Sequence, residues 1–359
     1  MRLILSGGGT GGHVFPLISL ALHLLKKGLP PGDILFLGQG DSLEEQEAKK
    51  IGLRFAKLIP QSNRRDLLGI VFSLFLAFLG SIQALFLFLS FRPDAVVGGG
   101  GFVSLPAILA SRISKTPYFL LEQNMIPGKL TRFFSRSADT TFLTFPGSEK
   151  FLKGKFLVVG NPIREDLLLP REEARRILNL PQEAFLVILA GGSKGARSLN
   201  REFQKLVPFL LSKPQCFVLW VTGRGDHEAI REQLKPTSER LFLKPFEPQM
   251  PLWISGSDLY IGRAGAGLLW EAVSCGVPSI LIPFPYAADD HQMANARFLE
   301  EAGASVVVPE SEIENLLLTV RALFEDQEKL KIMRECALKI PGRDATSKIC
   351  SVLWERFQK

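Results

Sequence analysis

A short apolar strand that runs into a glycine-rich turn and then into an apolar-periodic helix occurs twice in this chain, and few folds accept that unit twice. The first copy opens the sequence, "MRLILSGGGTGGHVFPLISLALHLL": residues 3–5 read as a buried strand, 14–25 as a helix and 7–12 as the turn between them. The second is "FLVILAGGSKGARSLNREFQKLVPFLL", with 185–190 as strand, 191–195 as turn and 196–211 as helix. Such a turn presents unpaired backbone N–H groups at a helix N-terminus, where the partial positive charge favours an anion, and glycine has no Cβ to hold a ligand away. Each turn is built to receive something negative.

The first turn alone does not say what. Gly7, Gly9 and Gly12 match the dinucleotide pattern G-x-G-x-x-G, so a hydride-transfer enzyme is one reading. That reading asks for an acidic residue ending the second strand to hold a ribose. The second strand, 34–37, runs into Gly38-Gln39-Gly40, and the first acid is Asp41, which weighs against a nicotinamide cofactor.

A chain of 359 residues exceeds what one core usually supports, so two domains are expected. Four cysteines form no C-x-x-C pair and only four histidines exist, so neither a zinc site nor a disulfide framework is indicated, and no metal or cofactor is expected. The first strand begins next to Met1, which leaves no room for a signal peptide and implies a reducing cytoplasm. The basic surplus is uneven: residues 1–160 hold 18 Lys and Arg against 10 Asp and Glu, and the remainder is nearly balanced at 25 against 26. A basic first half suits anionic lipid or a diphosphate substrate. Nucleic acid is disfavoured, because no aromatic residues interleave with the scattered charges as a stacking platform.

From Leu67 to Phe91 no charged residue occurs, with Arg64 and Arg65 before the run and Arg92 after it. Length and hydropathy alone indicate a membrane span. Topology argues otherwise, since the strand at 94–97 and its glycine turn at 98–101 belong to the same sheet as the strand at 3–5, and a span would part them. Small residues recur at Gly69, Ser73, Ala77, Gly80 or Ser81, and Ala84, a stripe able to lie close against a sheet. Three readings follow: a buried pair of crossover helices, a helix whose outer apolar face dips into a bilayer with the flanking arginines on lipid phosphates, or, the least favoured, a true span.

Beyond residue 160 further strands are expected at 217–222, 241–243, 259–262, 279–283 and 304–308, alternating with helices. The fold class is therefore α/β, with two doubly wound Rossmann-like domains facing one cleft and a joint at 160–164, where glycine and proline punctuate the chain. In the second glycine turn, Ser193 offers a hydroxyl either to a phosphate oxygen or as a helix cap. After the turn at 262–267, Glu271 lies about one turn into a helix and in an apolar setting, which is costly for an unpaired charge. A carboxylate there is suited to accept from the two hydroxyls of a ribose. Asp290, His291 and Gln292 open a further helix with Asn295 one turn on, polar groups suited to sugar hydroxyls. Together these residues indicate a nucleotide-sugar.

The ordered motifs "GGTGGH" (8–13), "EQN" (122–124), "GNPIR" (160–164), "GGSKGAR" (191–197), "RAGAG" (263–267) with Glu271, and "DHQMANA" (290–296) resemble those of the MurG family, the bacterial peptidoglycan N-acetylglucosaminyltransferases. The resemblance runs from end to end. It implies a GT-B glycosyltransferase that moves N-acetylglucosamine from UDP-N-acetylglucosamine to the C4 hydroxyl of undecaprenyl-diphospho-N-acetylmuramoyl-pentapeptide (lipid I), giving lipid II. It implies a peripheral location on the cytoplasmic face of the bacterial inner membrane, against an anionic surface. Residues 1–160 would form the acceptor and membrane-associated domain and 164–344 the donor domain, with a C-terminal helix within 345–359 packing back on the first.

Residue by residue, the resemblance implies that Thr10, Gly11, Gly12 and Asn124 face the donor at the transfer centre. It also implies donor contacts from Arg164, Ser193, Ala266, Glu271, His291, Gln292 and Asn295, and an acceptor diphosphate on Gly8, Gly9, Gly98, Gly99, Gly100 and Gly101. The implied reaction is an inverting displacement in which helix N-termini and Ser193 meet the charge on the departing diphosphate. His13 is the candidate base, its ordinary pKa lying near neutrality, with a purely orienting role as the alternative. The sequence departs from the family at Ala264, Lys194 and Glu247; the last follows Phe246 where an apolar residue would normally pack on uracil. A nucleotide-sugar epimerase, a glycolipid synthase on the same fold and a non-catalytic nucleotide-sugar-binding regulator stay open as alternatives.

Overall fold

The computed structural model describes residues 1–59, 67–164, 167–192, 195–234 and 238–357. Ser193, Lys194, Arg64 and Arg65 lie outside the described residues. The chain divides into two compact units, one of Met1–Ile163 with Gly342–Lys359 and one of Arg164–Pro341.

Among the described residues, the first unit holds seven strands: β1 (Leu3–Ser6), β2 (Ile34–Gly38), β3 (Arg54–Lys57), β4 (Ala95–Gly98), β5 (Tyr118–Glu122), β6 (Thr140–Leu143) and β7 (Phe156–Val158). They form one parallel sheet in the order β3-β2-β1-β4-β5-β6-β7. The inner strands are apolar nearly throughout because both faces are covered. Alternate residues go to opposite sides. Leu3, Leu5, Phe36, Val97 and Phe119 join one core cluster with the helices Gly11–Lys26 and Ala345–Phe357. Ile4, Leu35, Leu37, Val96 and Leu120 join another with the helices Leu67–Phe91 and Leu105–Ser114. The C-terminal helix enters this unit through Ile349, Cys350 and Leu353 and is tied at its end by Arg356, 3.3 Å from Asp139.

The second unit repeats the plan with β8 (Phe185–Ala190), β9 (Cys216–Val221), β10 (Leu241–Lys244), β11 (Leu259–Gly262), β12 (Ser279–Leu281) and β13 (Ser305–Val307). This parallel sheet has the order β10-β9-β8-β11-β12-β13. In each sheet the strand order reverses beside the first strand of the unit, between β1 and β4 and between β8 and β11. Loops leaving the carboxyl ends of those neighbours diverge and open a crevice, the usual place for a ligand in a sheet of this kind.

The uncharged run corrects one expectation. It is a single helix, Leu67–Phe91, in place of a pair, and it is not buried all round. Ser73, Ala77, Ser81, Ala84, Phe88 and Phe91 are buried, so the small-residue stripe is the face that lies on the unit. Glycine and serine at 80 and 81 do not break the helix because small side chains are what close packing requires there. Gln83, the one amide in the run, accepts from Ile59 N (2.9 Å) and donates to Lys57 O (2.8 Å), fastening the helix beside β3. The opposite face is bare: Phe75 is 54 % exposed, Phe86 68 % and Leu89 72 %, with Phe72, Phe78 and Ile82 along the same stripe.

Candidate functional site

In the first unit three loops meet at the carboxyl ends of β1, β4 and β5. The turn after β1 ends at Thr10, the N-cap of helix Gly11–Lys26, and places His13 in the first turn of that helix. His13 Nδ1 lies 3.2 Å from Gly8 O and 3.3 Å from Thr10 Oγ1. A carbonyl oxygen only accepts, so the neutral ring carries its proton on Nδ1 and its lone pair on Nε2. The turn after β4 closes on the same ring: Gly101 has φ +75°, and a Cβ there would stand 2.8 Å from Gly8 O and 3.2 Å from His13 Nδ1. From the third loop, Gln123 donates to Gly99 O at 3.0 Å, and Glu122 accepts from Asn124 N (3.1 Å) and Gly128 N (2.9 Å). Burial pushes the Glu122 carboxyl up, against the pull of those donors. Glu122 thus pins the loop that carries half-buried Asn124.

The glycines divide by placement. Gly9 and Thr10 are exposed, Gly11 and Gly12 half-buried at the helix start, and Gly101 half-buried. Gly8, Gly98, Gly99 and Gly100 are buried. Gly98 faces Ile108 and Leu120, and Gly99 lies against His13 O and Leu17, so packing alone accounts for those two. Sequence reading missed Glu44, which is 2 % exposed, sits against Gly8 and accepts from Gln39 N at 3.3 Å.

In the second unit the turn after β11 leads to Gly265, the N-cap of helix Ala266–Ser274, so the Ala266 N–H is among the donors the helix leaves unmatched at its start. Glu271, in the middle of that helix, is 7 % exposed. Its partner is Arg164, whose Nη2 stands 3.6 Å from Glu271 Oε1 while Nη1 donates to Pro248 O at 3.0 Å. Burial pushes the Glu271 carboxyl up to about 7, with Arg164 pulling the other way.

Arg263 organises the surrounding loops. It is buried, donates to Ile282 O and Pro283 O (3.2 Å each), pairs with Glu310, reaches Ser198 Oγ at 3.3 Å and lies 5.2 Å above the Phe284 ring. Its place in "RAGAG" was a signal that the sequence reading left unused. Gln292 accepts from Phe284 N at 3.0 Å, and His291 Nδ1 donates to Ala288 O at 2.8 Å. Both are half-buried, in the first turn of helix His291–Glu301. Asp289 and Asp290 before it adopt φ of 52° and 53°, a strained pair of the kind that collects at functional loops. Asn295 is fully buried and donates to Ala264 O at 3.2 Å, so its amide holds the turn before Ala266.

Comparisons with known proteins bear on the family and the fold. Residues 3–143 match the glycosyltransferase family 28 N-terminal domain, and residues 186–349 match the family 28 C-terminal domain. The chain is 33 % identical over 366 residues, 98 % of each chain, to the UDP-N-acetylglucosamine–N-acetylmuramyl-(pentapeptide) pyrophosphoryl-undecaprenol N-acetylglucosamine transferase of Desulfitobacterium hafniense. It is 35 % identical over 359 residues, 97 % of this chain, to the protein of that name from Caldanaerobacter subterraneus subsp. tengcongensis, covering 98 % of that relative. Among solved structures it resembles Acinetobacter baumannii MurG at a TM-score of 0.74 and 26 % identity, over 99 % of both chains. The fold alone is shared with the UDP-GlcNAc 2-epimerase of Neisseria meningitidis bound to UDP-GlcNAc, at a TM-score of 0.69 and 15 % identity, over 99 % of this chain and all of that one.

Proposed function

The chain belongs to glycosyltransferase family 28 and to its pyrophosphoryl-undecaprenol N-acetylglucosamine transferases, and from that premise we propose that it converts lipid I to lipid II. N-acetylglucosamine passes from UDP-N-acetylglucosamine to the C4 hydroxyl of the lipid-linked muramoyl-pentapeptide, with inversion at the anomeric carbon. The observation that carries the reading is the end-to-end likeness to transferases of this name, 33–35 % identical over 97–98 % of this chain. The epimerase reading has only the fold behind it.

The donor belongs to the second unit. Glu271, ionised, accepts from the ribose hydroxyls, Arg164 stands beside it, and Gln292 and His291 present polar groups toward the sugar. The diphosphate takes the N–H groups of the turn after β8, with Ser193, and those of the helix start at Ala266. As the acceptor oxygen bonds to the anomeric carbon, the bond to the UDP phosphate oxygen breaks, and the oriented N–H groups meet the charge that develops there. The acceptor belongs to the first unit, its diphosphate on the turn Gly9–Thr10–Gly11–Gly12 and on Gly101. His13 takes the hydroxyl proton on Nε2, the nitrogen that the Gly8 carbonyl leaves basic. Asn124 faces the donor at the transfer centre from the loop that Glu122 pins.

The bare stripe of helix Leu67–Phe91 supports a peripheral place on the cytoplasmic membrane face. Apolar side chains at 72, 75, 78, 82, 86 and 89 form one continuous side, and the basic surplus of residues 1–160 favours an anionic surface. Mixing the protein with UDP-N-acetylglucosamine and a lipid I analogue tests the whole reading. UDP release that requires the analogue supports transfer; turnover of UDP-N-acetylglucosamine without it favours an epimerase, and no UDP release above background removes the transferase reading.

A further inference from the structure

Glu247 has no part in the function just described, yet it is a carboxylate only 5 % exposed. Such a charge is costly to bury and persists where its partners hold it in one place. It is paired with the Lys244 ammonium at the end of β10, and its Oε1 accepts from Gln249 N at 2.8 Å, just before helix Met250–Gly256. Lys244 itself lies 5.1 Å above the Trp253 ring of that helix. The carboxylate therefore closes a tight loop over residues 246–249, and the residue enclosed is Pro248. A proline has a fixed φ and no N–H of its own, so its flanking residues decide where its carbonyl points.

That carbonyl holds Arg164 Nη1 at 3.0 Å. A guanidinium is a rigid planar fork, so what one nitrogen grips fixes the direction of the other. Arg164 Nη2 faces Glu271 Oε1 at 3.6 Å, a separation that a small shift of the loop would open or close. We infer that Glu247 is a positioning residue of the donor site, locking the 246–249 loop so that the Pro248 carbonyl orients Arg164 toward Glu271. The inference rests on the donor reading above and adds a residue that stands where the family's apolar uracil contact is absent.

Isothermal titration with UDP tests it on wild type, Glu247→Ala, Glu247→Gln, Arg164→Ala and the Glu247→Ala/Arg164→Ala double variant, with thermal unfolding of each alongside. E247A is expected to weaken UDP binding about tenfold, and E247Q, which keeps an oxygen to accept from Gln249, less than threefold. In the Arg164→Ala background, E247A is expected to add less than twofold, because the group through which it acts is gone. Should E247A not fold, Glu247→Asp, one methylene too short to reach both partners, carries the same comparison. A tenfold loss that persists without Arg164, or an E247A variant that binds UDP like wild type, overturns the inference and leaves the donor reading intact. Wild type that binds no UDP overturns both.

Discussion

Arg164 Nη2 and Glu271 Oε1 stand 3.6 Å apart, and the carboxyl nevertheless has its pKa pushed up to about 7. Burial outweighs the attraction and hydrogen bonding that Arg164 supplies. A site with this balance stays poised near neutrality until a ligand supplies further donors. Ribose hydroxyls are such donors, and they favour the ionised form.

The affinity for UDP-N-acetylglucosamine should therefore rise with pH through about 7. The sugar ester of the diphosphate is the informative ligand, because free UDP has a terminal phosphate that titrates close by. Among the described residues, Arg164 and the buried Tyr260 hydroxyl act on Glu271, and burial pushes the Tyr260 hydroxyl up, away from this range. Glu271→Ala should cost about 1–3 kcal/mol of donor affinity, and both it and Glu271→Gln should flatten the pH dependence. The stability sign runs the other way. The carboxyl binds its proton more tightly when folded, so its contribution is complete below about 4.5 and is lost as pH rises through about 7. Calorimetric titration and thermal unfolding across pH 5 to 8 measure the two effects. A donor affinity that is flat in wild type refutes the role of Glu271.

His13 is the next test. With Nδ1 held by Gly8 O, replacing the ring by alanine should lower kcat by roughly 10²–10⁴ while leaving the donor KM within about threefold, the pattern of a lost general base. Steady-state kinetics with a lipid I analogue separates the alternatives. A fall in kcat of less than about tenfold would assign His13 to orientation only.

The helix Leu67–Phe91 should respond differently on its two sides. Phe75→Ser with Phe86→Ser removes side chains that are 54 % and 68 % exposed, so thermal stability should hold while binding to vesicles of anionic phospholipid drops about tenfold or more. Ala84→Leu, on the fully buried side, should cost about 1–3 kcal/mol of stability through overpacking. Vesicle co-sedimentation and thermal melts read both. Loss of folding in the serine double variant would show that this face is packed in solution.

These sides also mark where the sequence was readable. The strands were legible because a parallel sheet covered on both faces demands short apolar runs, and 3–5, 185–190 and 259–262 have little else to be. The stripe Ser73, Ala77, Ser81, Ala84 was legible as a packing face from its spacing alone. Whether Gly80 breaks the helix was not, because that depends on what lies against it. Side-chain partners were the least visible. The amide of Asn295 suits a sugar by type, yet its observed partner is the Ala264 carbonyl, 31 positions earlier. Glu44 against Gly8, Gln123 on Gly99 and Arg263 with Glu310 are likewise made by loops that meet only once the sheets have formed. The family motifs located those loops without saying which side chain would touch which.

The last prediction uses two glycines with nearly the same positive φ. Gly101 and Gly52 have φ of 75° and 76°, so alanine is strained at either, and Gly101, with ψ 160°, holds a conformation essentially reserved for glycine. Their surroundings differ. A Cβ on Gly52 meets nothing within 4 Å, whereas one on Gly101 would stand 2.8 Å from Gly8 O and 3.2 Å from His13 Nδ1. The Gly8 carbonyl and the His13 ring would have to move apart, and with them the contact that leaves Nε2 basic. Gly52→Ala should therefore lower stability slightly and leave kcat unchanged. Gly101→Ala should cost more stability than Gly52→Ala and lower kcat at least tenfold, without a matching rise in donor KM. Thermal unfolding and steady-state kinetics on the two variants decide it. Equal kinetics in both would mean that the grip on His13 does not matter to the reaction.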